Sequence, residues 1–244
     1  VAEKLGLGYE ELKGLNPRII YAAASGYGPR GPDANRPATD PAGMARSGML
    51  DTTSRYGMPP HYYPGAIADQ MGAVMLAYGI MAALVARERL GVGQKVDVSH
   101  LGSMIWLQSL SVHQFLIQGR SPNKWQREQV SNPMSNCYKC ADGRWLFLGL
   151  SQAERFWPDL CRALDICELQ NDPLYATPKS RQEHKKELIA ILDEKFAART
   201  SSQWTEHFQK GFPRFIFEVV RSISELVDDP QVRANDYVVD FNHP

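Results

Sequence analysis

The chain has 244 residues, 43% of them hydrophobic and 22% charged, with 27 basic against 27 acidic residues and a formal net charge of zero. That length buries a sizeable core, as one large domain or two unequal ones. The balanced charge excludes a general electrostatic attraction to nucleic acid or to an anionic membrane surface.

The chain starts without methionine, inside what reads as a helix leading to a strand, as a fragment or a processed product would. Residues 3 to 15 carry a short amphipathic pattern closed by Asn16-Pro17, and "RIIYAAASGYG" follows as a strand of β-branched and small residues. A helix leading into a buried strand is α/β grammar. The next stretch, "GYGPRGPDANRPATDPAG", holds four prolines and four glycines and reads as a long loop or a string of turns. From Ile67 to Arg89 the pattern is helical and apolar nearly all round, which places that helix inside the domain. Its longest apolar run, Met71 to Ala86, falls short of the roughly 20 residues of a membrane helix. "RERLGVGQ" supplies the stop, "KVDVS" a short strand, and Ser99 a cap for the helix "HLGSMIWLQSLSVHQFLIQ", again read as buried and ended by Gly119.

The polar stretch around "RSPNKWQREQVSNPMS" has no hydrophobic period, so residues 1–118 read as part of one large domain and 119–136 as a linker. A small α/β domain over 137–235 opens with the hairpin "NCYKCADGRWLFLGL", turning at Asp142-Gly143. Helices are expected near 151–164, 179–198, 201–210 and 222–227. A final helical turn and strand follow, with 236–244 starting a return segment. Cys137 and Cys140 have C-x-x-C spacing, but zinc needs two more ligands and no second pair is at hand, so they read as small strand residues and no metal is expected. With Cys161 and Cys167 they make four cysteines and no secretory segment ahead of them, pointing to a cytoplasmic protein.

The most suggestive stretch is "HYYPGAIADQMGAVMLAYGI", residues 61–80, which sets a lone carboxylate, Asp69, at the mouth of an apolar helix. One reading is a helix cap, the carboxylate accepting a free backbone N–H where the helix dipole favours negative charge. The same placement orients a carboxylate and favours its ionised form, as a nucleophile requires. The residue type does not separate the two.

Four pieces, "NPRIIYAAASGYGPRGP", "GAIADQMGAVMLAYGIMAALVARERLGVGQKVDVS", "CADGRWLFLGL" and "ISELVDDPQVRANDYVV", span nearly the whole chain in an order that resembles the class III coenzyme A transferases. This superfamily includes formyl-CoA and carnitine CoA-transferases and α-methylacyl-CoA racemase. The resemblance implies an α/β fold with a large Rossmann-like domain, largely missing its amino-terminal half here, a smaller α/β domain, and an interlocked homodimer. It implies Asp69 as the nucleophile, passing CoA from an acyl-CoA donor to a carboxylic acid acceptor through aspartyl anhydride and aspartyl-CoA intermediates, with CoA as substrate and no resident cofactor.

Loop glycines Gly26, Gly28, Gly31 and Gly48, with Gly65 near Asp69, are candidate oxyanion donors or simple turn residues; of these Gly28 and Gly65 stand first. Tyr27, Arg30, Arg36 and Arg46 are candidates for a carboxylate or a CoA phosphate, since arginine offers bidentate donors. "GLGYEELKG" lacks the preceding strand of a phosphate-binding fingerprint. The racemase branch places a histidine before the aspartate of the loop, where this chain has Thr39 before Asp40, which favours transferase over racemase; His61 is the substitute base within reach of the sequence. Asp40 itself reads as a turn or cap residue. The aromatic segment "KGFPRFIFEVVRSISEL" departs from the family pattern, and a catalytically silent relative is the third reading.

Overall fold

The computed structural model of the chain describes residues 2–121 and 124–241. Two units divide it, Val1–Trp125 and Gln126–Pro244, each built around its own sheet. In the first, α1 (Tyr9–Leu15) leads into β1 (Ile20–Ser25), which pairs in parallel with β2 (Gln94–Ser99), in a register running from Ile20 opposite Gln94 to Ser25 opposite Ser99. A parallel pair needs a crossover, and here it comprises α2 (Asp40–Arg46), α3 (Met49–Thr52) and the long α4 (Ile67–Leu90). Glycine lets α4 lie close on the sheet: a Cβ at Gly79 would stand 2.6 Å from Val96 Cγ1. Gly91, with φ of 75°, ends α4 by donating its N–H to Arg87 O.

Beyond β2, Ser99 Oγ accepts the N–H of Gly102 at 3.0 Å and caps α5 (His100–Leu107), as the sequence indicated. The helix expected to run on to residue 118 is broken at Gln108, whose amide reaches Ser47 and Met104, and resumes as α6 (Ser109–Gln118). A larger difference concerns burial. The core of this unit is small, centred on Met44, Ala68 and Met104, and the faces of α4, α5 and α6 turned away from it expose Val74, Tyr78, Met81, Trp106, Leu110 and Ile117. The all-round apolar pattern of α4 is therefore not matched by all-round cover within this chain, because one two-stranded sheet covers one side of a helix only. At 24 residues, with mean hydropathy 1.5 in its most apolar window, α4 also reaches the length and composition of a membrane-crossing helix, which the sequence reading of Met71–Ala86 had excluded. Its packing on both strands and on α5 is that of a layer helix in an α/β unit.

The second unit carries the antiparallel sheet β3 (Ser135–Lys139), β4 (Trp145–Gly149), β5 (Phe217–Val219). Helices α7 (Ala153–Ala163), α9 (Lys185–Ala197) and α10 (Ser201–Gly211) cover it, with the short α8 (Pro178–Glu183), α11 (Ile223–Leu226) and α12 (Pro230–Ala234) at their edges. Helix was expected unbroken over 179–198, and His184 divides it. The expected linker is partly built into this unit: Met134 is fully buried in its core, Arg127 pairs with Asp193, and β3 begins at Ser135. The strand expected at the end is absent among the described residues up to 241, and 242–244 lie outside them.

The aromatic segment that departs from the family pattern has a plain packing role. Phe215 and Phe217 meet Phe208 with ring centroids 5.4 and 5.1 Å apart, and Phe212 stacks on Phe215 at 5.1 Å. The two buried cysteines are structural as well: Cys140 is buried in the hairpin, and burial raises its thiol to about 11. Cys161 is buried in α7 and raised to about 12 in the same way.

Asp142 does more than turn the hairpin. Its carboxylate accepts from both the N–H and the hydroxyl of Ser201, at 3.0 and 2.7 Å, tying the turn to the start of α10. These bonds, the hydroxyl first, hold its pKa below the usual aspartate value. A depressed pKa contributes stability that is full above the ordinary aspartate range and lost as pH falls through the folded value. Urea midpoints measured at neutral pH and at about pH 3 should therefore fall less in Asp142→Ala than in the parent chain; the slope is reduced and not abolished, since Glu225 and Asp229 are also depressed.

Candidate active site

Strands β1 and β2 run in the same direction and end together at Ser25 and Ser99, so their carboxyl ends open onto one place, the usual position of a site in an open parallel sheet. There the first turn of α4 arrives. Ala24, Ser25, Gly72, Ala73, Leu76, Val98 and Ser99 line a cavity of about 240 Å³, with Asp69 and His100 as its ionisable members. The small residues matter: Gly72 and Ala73 on α4 and Ala24 on β1 leave the space.

Asp69 is the third residue of α4, and its side chain is 55% exposed. It is not the helix cap. That role belongs to Asp40, the first residue of α2, whose buried Oδ1 accepts the N–H of Ala68 at 2.6 Å and of Asp69 at 3.2 Å. The residue in the cap position, Ala66, offers no side-chain acceptor and takes a left-handed conformation with φ of 47°. A carboxylate 28 residues upstream of Ala68 thus satisfies two free donors of the helix start, and the carboxylate of Asp69 is left to face the cavity.

The partner of Asp69 is His100, one residue past the end of β2: its Nε2 stands 3.0 Å from Asp69 Oδ1. A carboxylate only accepts, so the hydrogen between them belongs to Nε2. Gly43 on α2 lets His100 sit where it does, since a Cβ there would lie 2.7 Å from His100 Cβ. His100 Nδ1 is buried and has no hydrogen-bond partner among the described residues, and the same holds for the second oxygen of Asp40.

The other residues named from the sequence lie elsewhere. Arg36 and Arg46 both approach the ring of Tyr27, at 5.6 and 5.8 Å, and both pair with Asp33, which makes a loop cluster of its own. Arg30 is exposed in the same loop. Gly28, with φ of 101°, gives its N–H to Ser25 Oγ at 3.1 Å, and Gly65 gives its own to Tyr63 O at 2.9 Å, so neither is free to meet a substrate oxygen in this conformation. Gly31 and Gly48 are left-handed turn residues, and Gly26 packs against Ala38 while its carbonyl accepts from Leu101. His61 is exposed, its backbone N–H on Ser54 Oγ. Thr39 precedes α2 without a side-chain cap bond.

The family model described as CoA-transferase family III matches residues 1–244. The chain belongs to CoA-transferase family III. Among its relatives, an acyl-CoA transferase of Fusarium pseudograminearum is 34% identical over 239 residues, 98% of this chain and 51% of the relative. The human succinyl-CoA:glutarate CoA-transferase is 30% identical over 242 residues, 98% of this chain and 54% of the relative. In three dimensions a CAIB/BAIF family protein from Brucella suis matches with a TM-score of 0.82 at 25% identity, over 96% of this chain and 61% of that one. The Mycobacterium tuberculosis protein Rv3272 matches with a TM-score of 0.83 at 28% identity, over 96% and 62%. The chain thus has the α/β fold of CaiB/BaiF proteins and spans about half the length of the curated relatives named here.

Asp40 is the residue on which this geometry rests. Asp40→Ala should lower stability by about 1–2 kcal/mol, as loss of a helix cap does, while Asp40→Asn, which keeps an acceptor, should lose less; urea unfolding of both variants measures the difference.

Proposed function

We propose that the protein moves CoA from an acyl-CoA thioester to a carboxylic acid, with Asp69 as the covalent nucleophile. The observation that carries this reading is a half-exposed carboxylate on the first turn of α4, facing a cavity at the carboxyl ends of two parallel strands and bonded there by a single imidazole. Relatives named as CoA-transferases make the reaction class the natural one.

The chemistry runs in four exchanges. The Asp69 carboxylate attacks the donor thioester carbonyl, and the C–S bond breaks to give an acyl-aspartyl anhydride and free CoA thiolate. The thiolate attacks the aspartyl carbonyl and expels the donor acid as its carboxylate, leaving aspartyl-CoA. The acceptor carboxylate attacks the same aspartyl carbonyl, releasing the thiolate and forming a second anhydride. The thiolate then attacks the acceptor's acyl carbon, giving the new thioester and restoring Asp69. Each step exchanges one activated acyl bond for another, the advantage of covalent catalysis. No net proton is consumed over the cycle, and the Nε2–H of His100 fixes the orientation of the Asp69 carboxylate.

The Asp69–His100 contact also favours a second reading, because a histidine and a carboxylate together suit removal and return of the proton alpha to a thioester, the racemase chemistry. The test separates them. After incubation of the full-length protein with acyl-CoA donors and a hydroxylamine quench, peptide mass spectrometry should find Asp69 as its hydroxamate, and Asp69→Ala should lower transfer by about 10⁴-fold or more. Deuterium uptake at the alpha carbon with no label on Asp69 would instead carry the racemase reading.

The functional unit on this reading is a homodimer, because the exposed apolar faces of α4, α5 and α6 call for cover by further chain. Light scattering of the full-length protein should give twice the monomer mass at micromolar concentration; a monomer would contradict it.

A further inference from the structure

We infer that His100 is the oxyanion donor for the carbonyl of Asp69 itself, and that its hold on one carboxylate oxygen leaves the other as the only oxygen exchanged with substrate. The inference rests on the reading of Asp69 as nucleophile and adds a residue that the sequence did not single out.

Asp69 Oδ1 lies 3.0 Å from His100 Nε2, whose hydrogen points to it. The imidazole is held from behind. Its Cβ sits where a side chain on Gly43 would collide, and its other nitrogen is buried. Protonating that nitrogen would create a buried donor with nothing to accept it, so the tautomer with hydrogen on Nε2 is the one the surroundings suit. Asp69 in turn is fixed at its backbone, because its N–H and that of Ala68 both go to Asp40 Oδ1. A bond between two anchored groups selects one oxygen of the carboxylate. Oδ1 is held, and Oδ2 is free to attack.

Following the atoms gives the consequence. Oδ2 becomes the bridging oxygen of the first anhydride, and it departs with the donor acid when the CoA thiolate attacks Asp69 Cγ and the Cγ–Oδ2 bond breaks. The acceptor then brings its own oxygen to Cγ, and that oxygen stays on Asp69 when the thiolate takes the acceptor's acyl carbon. Throughout, Oδ1 stays bonded to Cγ. In both attacks on Cγ the negative charge gathers on Oδ1, directly opposite Nε2–H, at a distance already suited to an oxyanion bond. In the two attacks on a substrate carbonyl carbon, His100 has no such part. One imidazole therefore serves two of the four steps.

The experiment is isotopic. The full-length protein is turned over many times with an acceptor acid carrying ¹⁸O at both carboxylate oxygens, and the peptide containing Asp69 is weighed. The wild-type protein should take up one label, in place of the Oδ2 that His100 does not hold, and no second one. His100→Leu, which leaves the carboxylate free to rotate, should take up two after the same number of turnovers. The same variant should form the aspartyl-CoA adduct, followed as added CoA mass on the intact protein, about 10²- to 10³-fold more slowly, the usual effect of removing one oxyanion donor. His100→Gln, which keeps an N–H donor, should recover most of that rate. Two labels on the wild-type protein, or an unchanged adduct rate in His100→Leu, overturn the assignment. Turnover with no label on Asp69 overturns the nucleophile reading itself, a result distinguishable from either.

Discussion

The bond from the Asp40 carboxylate to the first turn of α4 is the constraint on which the rest of the site depends. It joins the end of the proline-rich loop to the start of the longest helix, and both N–H groups it takes belong to the residues just before and at the candidate nucleophile. A helix start must find acceptors for its free N–H groups. Had Asp69 served its own helix, its oxygens would have turned back onto the backbone. Because Asp40 does so from a distance, a second carboxylate can stand at the same positive helix end and point outwards. The nearby left-handed Ala66 belongs to the same arrangement: a non-glycine residue in that region carries strain of order 1 kcal/mol, tolerated where the cap over-determines the turn.

Glycine and alanine build the remainder of the cavity. Gly79 lets α4 lie on Val96, Gly43 lets α2 lie on the side chain of His100, and Gly72 leaves the cavity open beneath the imidazole. A larger residue at Gly79 or Gly43 would move a helix and, through it, one member of the Asp69–His100 pair. Packing and chemistry are therefore the same constraint in this unit, whose own core is little more than Met44, Ala68 and Met104. The second unit is different in kind. Its rings, Tyr138 stacked on Phe196 at 4.8 Å and Phe208 edge-on to Phe215 and Phe217, form a broad apolar core.

Much of this was legible from the chain alone. The order of strands and helices, the Asp142-Gly143 hairpin and the Ser99 cap follow from local patterns, and the placing of Asp69 at the head of an apolar helix drew attention to it. What local pattern cannot give is a partner 28 or more residues away. Asp40 reads as a cap in sequence, yet the helix it caps is not its own; His100 reads as the first residue of a helix, and only the parallel register of β1 with β2 brings it to Asp69. The sequence also overstated burial, since an apolar helix signals that it will be covered without saying by which chain. Asp33 was the missing partner of Arg36 and Arg46: three charges spread over fourteen positions of loop carry no period from which their meeting could be foreseen.

The proposed chemistry makes two different demands on oxyanion donors, and the geometry treats them separately. Attack on a substrate carbonyl builds charge on an oxygen that arrives with the substrate, whereas attack on aspartyl carbonyl builds it on an atom of the protein. A permanent donor such as His100 can be aligned in advance only with the second. Gly28 and Gly65, the backbone donors that sequence suggested for the first, are bonded to Ser25 and Tyr63. For Gly28 the acceptor is a serine hydroxyl within the cavity lining. A donor fixed on a partly buried imidazole suits an oxygen that never leaves. Preorganisation lowers a barrier only for charge whose position is fixed beforehand, and in this site the oxygen so fixed is the Oδ1 of Asp69.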